Sequence, residues 1–314
     1  MALPAPISSQ LSLPAIAAPM FLVSGPELVA ACCSNGVIGS FPTINARNTD
    51  VLESWLASLE DAKAQHPHWA PVAANLVVHK TNPRLQDDVD LLVKYQTPIV
   101  ITSVGNPKDV VDAVHSYGGQ VYADIVSIRH AEKAIASGVD GLILLCAGSG
   151  GQTGWANPFA FTRAVRAMFD GVIVLAGGIT DGVAIRAAQM LGADLVYMGT
   201  RFIAASESMA QDAYRHMLVD AKMDDVLLTR AFTGLDANML IPSIQAAGLD
   251  PDNLPVREHG SVEVTTDLNP DMQHKKRWKD IWSAGHGVGG IQTVSSAKTI
   301  IDQLKAEYTS AVQG

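Results

Sequence analysis

Residues 172–206 constrain the fold more than any other part of the chain. An apolar run over residues 172–176 has the length and the β-branched content of a buried strand, and it ends at Gly177. Asp181 then stands where it can cap a helix, and residues 195–198 form a second apolar run. A strand, a helix and a strand in so short a segment predict a parallel unit with a right-handed crossover.

The same alternation runs through the residues that precede this unit. Further strands are predicted over residues 16–20, 37–38, 72–78, 98–102, 120–125 and 141–145. Helices are predicted over residues 26–33, 51–62, 87–93, 109–116 and 129–137, and another begins near residue 160. With the two strands of residues 172–206 the count reaches eight, which predicts a closed parallel sheet, an α/β fold of the TIM-type (β/α)8 barrel. Residues 1–14 are expected to be irregular.

Beyond residue 206 the alternation stops. The patterns predict a helix over residues 209–223, a strand over 226–232, loops over 235–275, a structured stretch starting at 275–278, and an amphipathic helix over 297–312. No second core is evident in this part of the chain. We therefore predict a barrel domain, residues 1–206, and a C-terminal extension, residues 207–314, packed on it.

Composition and charge exclude several classes of protein. Hydrophobic residues make up 48% of the chain and charged residues 17%, which favours a large buried core over disorder. The net charge of −9 argues against a nucleic-acid-binding surface. Cys32, Cys33 and Cys146 show no zinc-site spacing, so we predict no metal site and a reduced, cytoplasmic environment. No basic leader and no apolar run of membrane-spanning length is evident, so no membrane association is expected.

Two turns within residues 172–206 carry the strongest chemical signal. Gly177 and Gly178 have no Cβ, so the backbone there can approach a ligand closely. Gly199 and Thr200 offer two backbone N–H groups beside the positive charge of Arg201. The last two loops of a (β/α)8 barrel commonly bind phosphate, so these turns predict a phosphate site. The alternative is a pair of structural turns that bind nothing.

Two other stretches fall where a barrel presents groups to a ligand. Ala18, Pro19 and Met20 end the first strand, where the Met20 thioether can lie against a flat ring. The alternative is a strand that is simply terminated by proline. Asn75 is an amide inside an otherwise apolar strand, and it can either bond the edge of a heterocycle or bond a neighbouring loop.

The glycine-rich loop, residues 148–155, follows the sixth strand. Four glycines within residues 148–154 cannot pack a core, so the loop either moves or follows a ligand closely. Gln152 and Thr153 are the polar side chains that it presents. A plain flexible connection is the alternative interpretation.

Taken together, these motifs resemble those of the nitronate monooxygenase family, formerly called 2-nitropropane dioxygenases. The resemblance rests on AAPM, ANLVVHKTNPR, ADIVSIRHA, AGSGGQTGWANPFAF, VLAGGITDG and MGTRFIAASES, and WSAGHGVGG resembles the tail of longer members. It implies a barrel that holds FMN non-covalently and oxidises alkyl nitronates with molecular oxygen.

The resemblance also implies roles for individual residues. Those implied to line or hold FMN are Ala18, Pro19, Met20, Asn75, Asp124, Gly150, Gly151, Ala176, Gly177, Gly178, Met198, Gly199 and Thr200. Gln152 is implied to lie beside the substrate, at a position where the family usually has histidine. An imidazole can accept a proton near neutral pH, whereas a carboxamide can only form hydrogen bonds. Asp124 is therefore the second catalytic candidate, although an aspartate at a strand exit often only caps a turn.

Two other functions remain open on the sequence alone. A related flavin barrel reduces quinones or enoyl thioesters with NAD(P)H, and the enoyl reductases of fatty-acid synthesis resemble this layout. A non-redox phosphate-binding barrel, whether lyase, isomerase or binder, would be colourless when purified. The physiological substrate, the need for NAD(P)H and the formation of a homo-oligomer are left open by the sequence.

Overall fold

The barrel strands form one closed, parallel sheet. A computed structural model describes residues 3–232, 234–255 and 280–313. The strands are β1 Ala15–Ala17, β2 Ile38–Pro42, β3 Val72–Val77, β4 Ile99–Ser103, β5 Gln120–Ile125, β6 Gly141–Leu145, β8 Val172–Ala176 and β9 Leu195–Met198. The sheet order is β1-β2-β3-β4-β5-β6-β8-β9, and Ile16 of β1 pairs with Tyr197 of β9 to close it. The predicted (β/α)8 barrel is confirmed.

Helices connect successive barrel strands on the outside. They are α2 Pro26–Cys33, α3 Thr49–Ala64, α4 Leu85–Lys94, α5 Lys108–His115, α6 Ile128–Ala136, α7 Pro158–Arg166 and α8 Gly182–Leu191. Helix α1, Ala5–Ser8, precedes β1 and packs Ile7 against the residues inside the barrel. The prediction of an irregular start over residues 1–14 missed α1, because four residues are too few to show a helical period.

Local signals set the ends of α8 as predicted. The Asp181 carboxylate accepts a hydrogen bond from the Ala184 N–H at 2.8 Å and caps the start of the helix. The helix ends at Gly192, whose φ of +106° is the left-handed conformation that glycine adopts without steric cost. Two short signals thus fix the helix between β8 and β9.

The last described helix, α12 Ala297–Gln313, lies between α8 and α2 and completes the outer layer of the barrel. A Cβ on Gly182 would lie 2.1 Å from the Tyr308 N atom, so only glycine allows α8 and α12 to approach this closely. The Glu307 carboxylate also accepts a hydrogen bond from the Gly182 N–H at 2.9 Å. The division of the chain at residue 206 stays a prediction.

Between β9 and α12 the chain builds a small second sheet. Its order is β10-β11-β7, where β10 is Val226–Thr229, β11 is Ala237–Leu240 and β7 is Gly151–Gln152. Helices in this part are α9 Thr200–Ile203, α10 Asp212–Asp220 and α11 Ile241–Ala246, with 3-10 helices at Met223–Asp225 and His286–Gly290. Within the described residues, every helix is too short or too polar to cross a lipid bilayer.

The prediction of loops over residues 235–275 is wrong for β11 and α11. Strand β11 forms because it pairs with β10 on one side and with β7 on the other, and β7 lies far away in the sequence. Such pairing leaves no local period. The predicted start of a structured stretch at residues 275–278 lies outside the described residues.

Candidate active site

A cavity of about 510 Å³ opens at the carboxyl ends of the barrel strands. Every residue proposed from the sequence for the cofactor or for catalysis lines it: Ala18, Pro19, Met20, Asn75, Asp124, Gly150, Gly151, Gln152, Ala176, Gly177, Gly178, Met198, Gly199 and Thr200. Met198 lines the cavity although it is buried in the cluster between strands and helices. The fold brings the whole set together, while the individual roles stay predictions.

The turn after β8 leaves open space beside its backbone. Gly177 and Gly178 have φ values of +110° and +73°, in the left-handed region. A Cβ on Gly178 would meet no atom within 4 Å, although Gly178 lines the cavity. The Gly178 N–H donates no hydrogen bond to any of the described residues. This turn therefore forms a cradle that a side chain would occupy.

The turn after β9 completes the cradle. The N–H groups of Gly199 and Thr200 likewise donate no hydrogen bond within the described part of the chain. A Cβ on Gly199 would lie 3.5 Å from Met20 Sδ and 3.7 Å from Ala18 Cβ, so this glycine borders the residues that end β1. Unbonded N–H groups at two neighbouring turns fit an anionic group such as a phosphate.

Arg201 lines the same cavity but is held by the C-terminal extension. Its guanidinium donates to the Gly290 carbonyl at 2.5 Å and to Gln303 Oε1 at 2.8 Å. Its Nε is buried without a partner among the described residues, and burial lowers the pKa of the guanidinium. The positive charge predicted beside the phosphate turns is therefore present. The Arg201 side chain also binds the C-terminal extension to this part of the barrel.

Asn75 lines the cavity and is also bonded within the barrel, while its contact with a heterocycle stays a prediction. It is 8% exposed and donates from Nδ2 to Ser103 Oγ at 3.2 Å and to the Ile101 carbonyl at 3.4 Å. It therefore bonds the neighbouring strand β4 and lines the cavity as well. Its carboxamide oxygen accepts no hydrogen bond from the described residues, which leaves an acceptor for a ligand.

Two buried polar groups lie at the floor of the cavity. Asp124 Oδ1 and Tyr197 Oη are both shielded from solvent and have no hydrogen-bond partner within the described chain. Burial raises the pKa of Asp124 to about 7, so this carboxyl can exchange a proton near neutral pH. Burial and the negative charge of Asp124 raise the pKa of Tyr197, so its hydroxyl keeps its proton. Sequence reasoning missed Tyr197, because an aromatic residue in an apolar strand is typical of a core.

The rim beside β1 is held by one asparagine. Asn45 donates from Nδ2 to the carbonyls of Met20 at 2.9 Å and Ser24 at 2.8 Å, and its Oδ1 accepts from the Leu22 N–H at 2.9 Å. Leu22 has a φ of +59°, a left-handed conformation that costs a non-glycine residue about 1–2 kcal/mol. Asn45 and Leu22 were missed from the sequence, since neither stands in a recognisable motif. Arg47, also missed, is exposed and lines this rim.

The glycine-rich loop is fixed rather than freely flexible. Ser149 Oγ and Thr153 Oγ1 each donate to the Cys146 carbonyl at 2.9 Å. Asn238 of β11, only 1% exposed, donates from Nδ2 to the Ser149 carbonyl at 2.7 Å. Gln152 pairs with Ala237 across the small sheet. The interpretation of this loop as a plain flexible connection is wrong, and Asn238 had no local signal that could have revealed it.

The Gln152 side chain is half-buried and lines the cavity. Its carboxamide forms no hydrogen bond with another side chain or with backbone in residues 3–232, 234–255 and 280–313. Both of its hydrogen-bonding atoms are therefore left for a ligand.

The C-terminal extension closes the cavity on the side of β6. The Gly285 N–H donates to Thr200 Oγ1 at 2.9 Å, and a Cβ on Gly285 would lie 2.6 Å from the Gly148 carbonyl oxygen. Tyr214 stacks on Trp282 with ring centroids 5.0 Å apart, and both line the cavity. The AGHGVGG stretch, whose role the sequence left open, thus packs against the glycine-rich loop. Among the described residues, no group of three His, Cys, Asp or Glu side chains is placed to hold a metal ion.

A comparison with known families supports the resemblance noted from the sequence. The sequence profile of the nitronate monooxygenase family matches residues 54–307. The chain belongs to the nitronate monooxygenase family. It is an oxidoreductase, and membership of the family implies a flavin cofactor.

Individual relatives are similar at low sequence identity. The nitronate monooxygenase of Paraburkholderia phytofirmans is 28% identical over 345 residues, covering 96% of this chain and 93% of its own. The (3aS,4S,5R,7aS)-5-hydroxy-7a-methyl-1-oxo-octahydro-1H-indene-4-carboxyl-CoA dehydrogenase of Mycobacterium tuberculosis is 28% identical over 233 residues, covering 72% of this chain and 62% of its own.

Solved structures show the same fold. FabK from Thermotoga maritima superposes with a TM-score of 0.80 at 23% identity, covering 99% of this chain and 98% of its own. Nitroalkane oxidase from Streptomyces ansochromogenes superposes with a TM-score of 0.81 at 22% identity, covering 98% of each chain.

Proposed function

We propose that this member of the nitronate monooxygenase family binds FMN and oxidises alkyl nitronates with molecular oxygen. The observation that carries the proposal is the cradle of unbonded N–H groups at Gly178, Gly199 and Thr200, which opens into the cavity that also holds Gln152 and Asp124. When bound, FMN supplies the electron transfer between the nitronate and oxygen.

The described residues fit FMN at both of its ends. The N–H groups of the two glycine turns would hold the phosphate, because oriented N–H groups favour an anion. Met20 and Ala18, which border Gly199, would line the isoalloxazine ring. The unbonded carboxamide oxygen of Asn75 would accept a hydrogen bond from the edge of that ring.

Gln152 and Asp124 would act on the substrate in different ways, Gln152 as a hydrogen-bond donor and Asp124 as a base. The Gln152 carboxamide can donate a hydrogen bond to a nitronate oxygen, but it cannot remove a proton. The Asp124 carboxyl, with a pKa of about 7, can accept one. A preformed nitronate needs no proton removal, so it should react faster than the matching neutral nitroalkane, which depends on Asp124.

Cofactor and reaction can be tested on the purified protein. The flavin is released and identified, and oxygen consumption is then measured with butane-1-nitronate and with neutral 1-nitrobutane. We expect bound FMN and faster oxygen consumption with the nitronate. A colourless protein would contradict the cofactor and favour a non-redox phosphate-binding barrel.

The reductase alternative has its own measurement. The M. tuberculosis relative is named as a dehydrogenase of a carboxyl-CoA compound, so a thioester substrate is tested as well. Flavin reduction by NAD(P)H under anaerobic conditions, with electrons passed to a quinone or an enoyl thioester, would replace our proposal if the nitronate consumed no oxygen.

We also infer a cytoplasmic location. Cys32, Cys33 and Cys146 are buried free thiols, which is typical of a reducing compartment. Mass spectrometry of the thiols in protein isolated under alkylating conditions would show them all unoxidised. Oxidised forms would contradict a reducing compartment.

A further inference from the structure

Asp124 and Tyr197 occupy inward-facing positions near the carboxyl ends of β5 and β9. Both side chains line the cavity, yet Asp124 Oδ1 and Tyr197 Oη are each buried and without a partner among the described residues. Buried polar atoms in proteins are almost always hydrogen-bonded, either to protein or to an enclosed water. Two such atoms at one cavity floor therefore call for a common explanation.

The two groups complement each other chemically. Burial keeps the Tyr197 hydroxyl protonated, so it has a hydrogen to donate at any pH where the protein is folded. A carboxylate is an acceptor at both oxygens. Burial raises the pKa of Tyr197, and the negative charge of Asp124 adds to this shift.

Other titratable groups at the cavity do not offer Asp124 the same contact. Those that line it, besides Asp124 and Tyr197, are Arg47, Arg201 and Tyr214. Arg47 lies at the exposed rim, the Arg201 guanidinium is bonded to Gly290 and Gln303, and the Tyr214 hydroxyl donates to the Ser283 carbonyl at 2.5 Å. On the neighbouring strands, Ser103 of β4 and Leu145 of β6 face the cavity and carry no charge.

We propose that Tyr197 is a positioning residue for Asp124: its hydroxyl donates a hydrogen bond, through one enclosed water, to the Asp124 carboxylate and stabilises the ionised form. The inference rests on the proposed function, because it assigns to Tyr197 the tuning of the base that we expect to deprotonate neutral nitroalkanes. An Asp124 held in this way is charged at a lower pH than burial alone would allow.

The test follows the ionisation of Asp124 without turnover. Holoenzyme labelled with ¹³C at aspartate side-chain carboxyls is titrated by NMR, and Asp124→Asn identifies the signal. Tyr197→Phe removes only the hydroxyl, and we expect it to raise the Asp124 midpoint by about one pH unit, the contribution of one hydrogen bond to a charged group.

Tyr122→Phe is the matched control. Tyr122 is the preceding inward-facing residue of β5, is fully buried, and donates its hydroxyl to Gln120 Oε1 at 2.7 Å instead of facing the cavity. It should leave the Asp124 midpoint unchanged. An unchanged midpoint in Tyr197→Phe, or an equal shift in Tyr122→Phe, would overturn the inference.

A reciprocal measurement covers the case in which Tyr197→Phe does not fold. In wild type labelled with ¹³C at tyrosine Cζ, the Tyr197 signal should shift with pH as Asp124 ionises, and this shift should be absent in Asp124→Asn. A Tyr197 signal that does not move with pH in wild type would count against the pairing.

The two hypotheses fail in different ways. If neutral nitroalkanes are not oxidised while Tyr197→Phe still shifts the Asp124 midpoint, the proposed reaction is wrong and the pairing stands. If neutral nitroalkanes are oxidised with the same pH profile in wild type and Tyr197→Phe, the pairing is wrong and the reaction stands.

Discussion

The two sides of the cavity wall are built in different ways. On one side, the ends of β1, β3, β5, β8 and β9 present residues whose positions follow from the register of a closed sheet. On the other side, the glycine-rich loop is held by the C-terminal extension, through the bonds of Asn238 to the Ser149 carbonyl and of the His286 N–H to the Gly148 carbonyl. The first side depends on backbone geometry and the second on a few specific hydrogen bonds.

This difference predicts separable effects of substitution. Changes in the barrel turns should affect cofactor binding and protonation, because those turns carry the anion cradle and Asp124. Changes at Gln152 and at the anchor residue Asn238 should affect the substrate and the stability of the glycine-rich loop, and should leave the cofactor bound.

Gly178→Asp should have the largest effect. The added side chain would enter the cradle and place a negative charge where the FMN phosphate is proposed to bind, so the variant should purify without flavin. The ratio of flavin to protein absorbance measures this directly. Gly118→Asp is the matched control, because Gly118 also has a positive φ, +84°, and no atom within 4 Å of an added Cβ, but lies outside the cavity. Full flavin content in Gly178→Asp would place the phosphate elsewhere.

Asp124→Asn should change the pH dependence of stability. The Asp124 pKa rises from 3.8 in the unfolded chain to about 7 in the folded protein, so the folded state binds one more proton between these values. The unfolding free energy of the wild type should therefore be highest below the unfolded pKa and fall as the pH rises through about 7. The full change is on the order of 4 kcal/mol, from 1.36 kcal/mol per unit of pKa shift.

Urea unfolding across this pH range measures the effect. Asp124→Asn should remove the slope, while Asp220→Asn, an exposed position on α10, should retain it. The rate with neutral nitroalkane should also rise as Asp124 ionises, and this rise should be absent in Asp124→Asn. A slope that survives in Asp124→Asn would show that another group carries the titration.

Gln152→Ala should leave flavin content unchanged and slow the oxidation of nitronate. One hydrogen bond to a charged substrate contributes about 1.5–3 kcal/mol, or roughly a tenfold to a hundredfold change in rate. Gln152→His should broaden activity toward neutral nitroalkane above the pH at which the imidazole loses its proton. Initial rates of each variant on both substrate forms test this. Equal rates for wild type and Gln152→Ala on every substrate would show that the Gln152 side chain has no role in the reaction.

Asn238→Ala should have the smallest effect, and a different kind of effect. It leaves the buried Ser149 carbonyl without its donor, so we expect a loss of about 1–2 kcal/mol in the free energy of unfolding, with flavin still bound. Asn253→Ala, at an exposed position, should cost much less. Loss of flavin in Asn238→Ala would show that the two sides of the wall are not independent.

The sequence predicts the barrel side far better than the extension side. The end of α8 at Gly192 and its cap at Asp181 are local signals, and they place Gly178 and Gly199 at one face of the sheet without further information. Strand β11 has the pattern of a loop because its partners β7 and β10 supply the pairing, and no short window of residues contains both. Tyr197 was missed for a different reason: alternation shows that it points inward, but not that its hydroxyl is buried at the cavity without a partner among the described residues.

The close contact between α8 and α12 has a consequence for how the chain becomes a folded protein. Leu191 ends α8 and Ala297 begins α12, so the apolar faces of α8 and α2 stay uncovered while everything in between is synthesised. Contacts so distant in sequence slow folding and raise the contact order. A nascent chain that has emerged only as far as residue 296 would expose this surface and be prone to aggregation or to capture by chaperones.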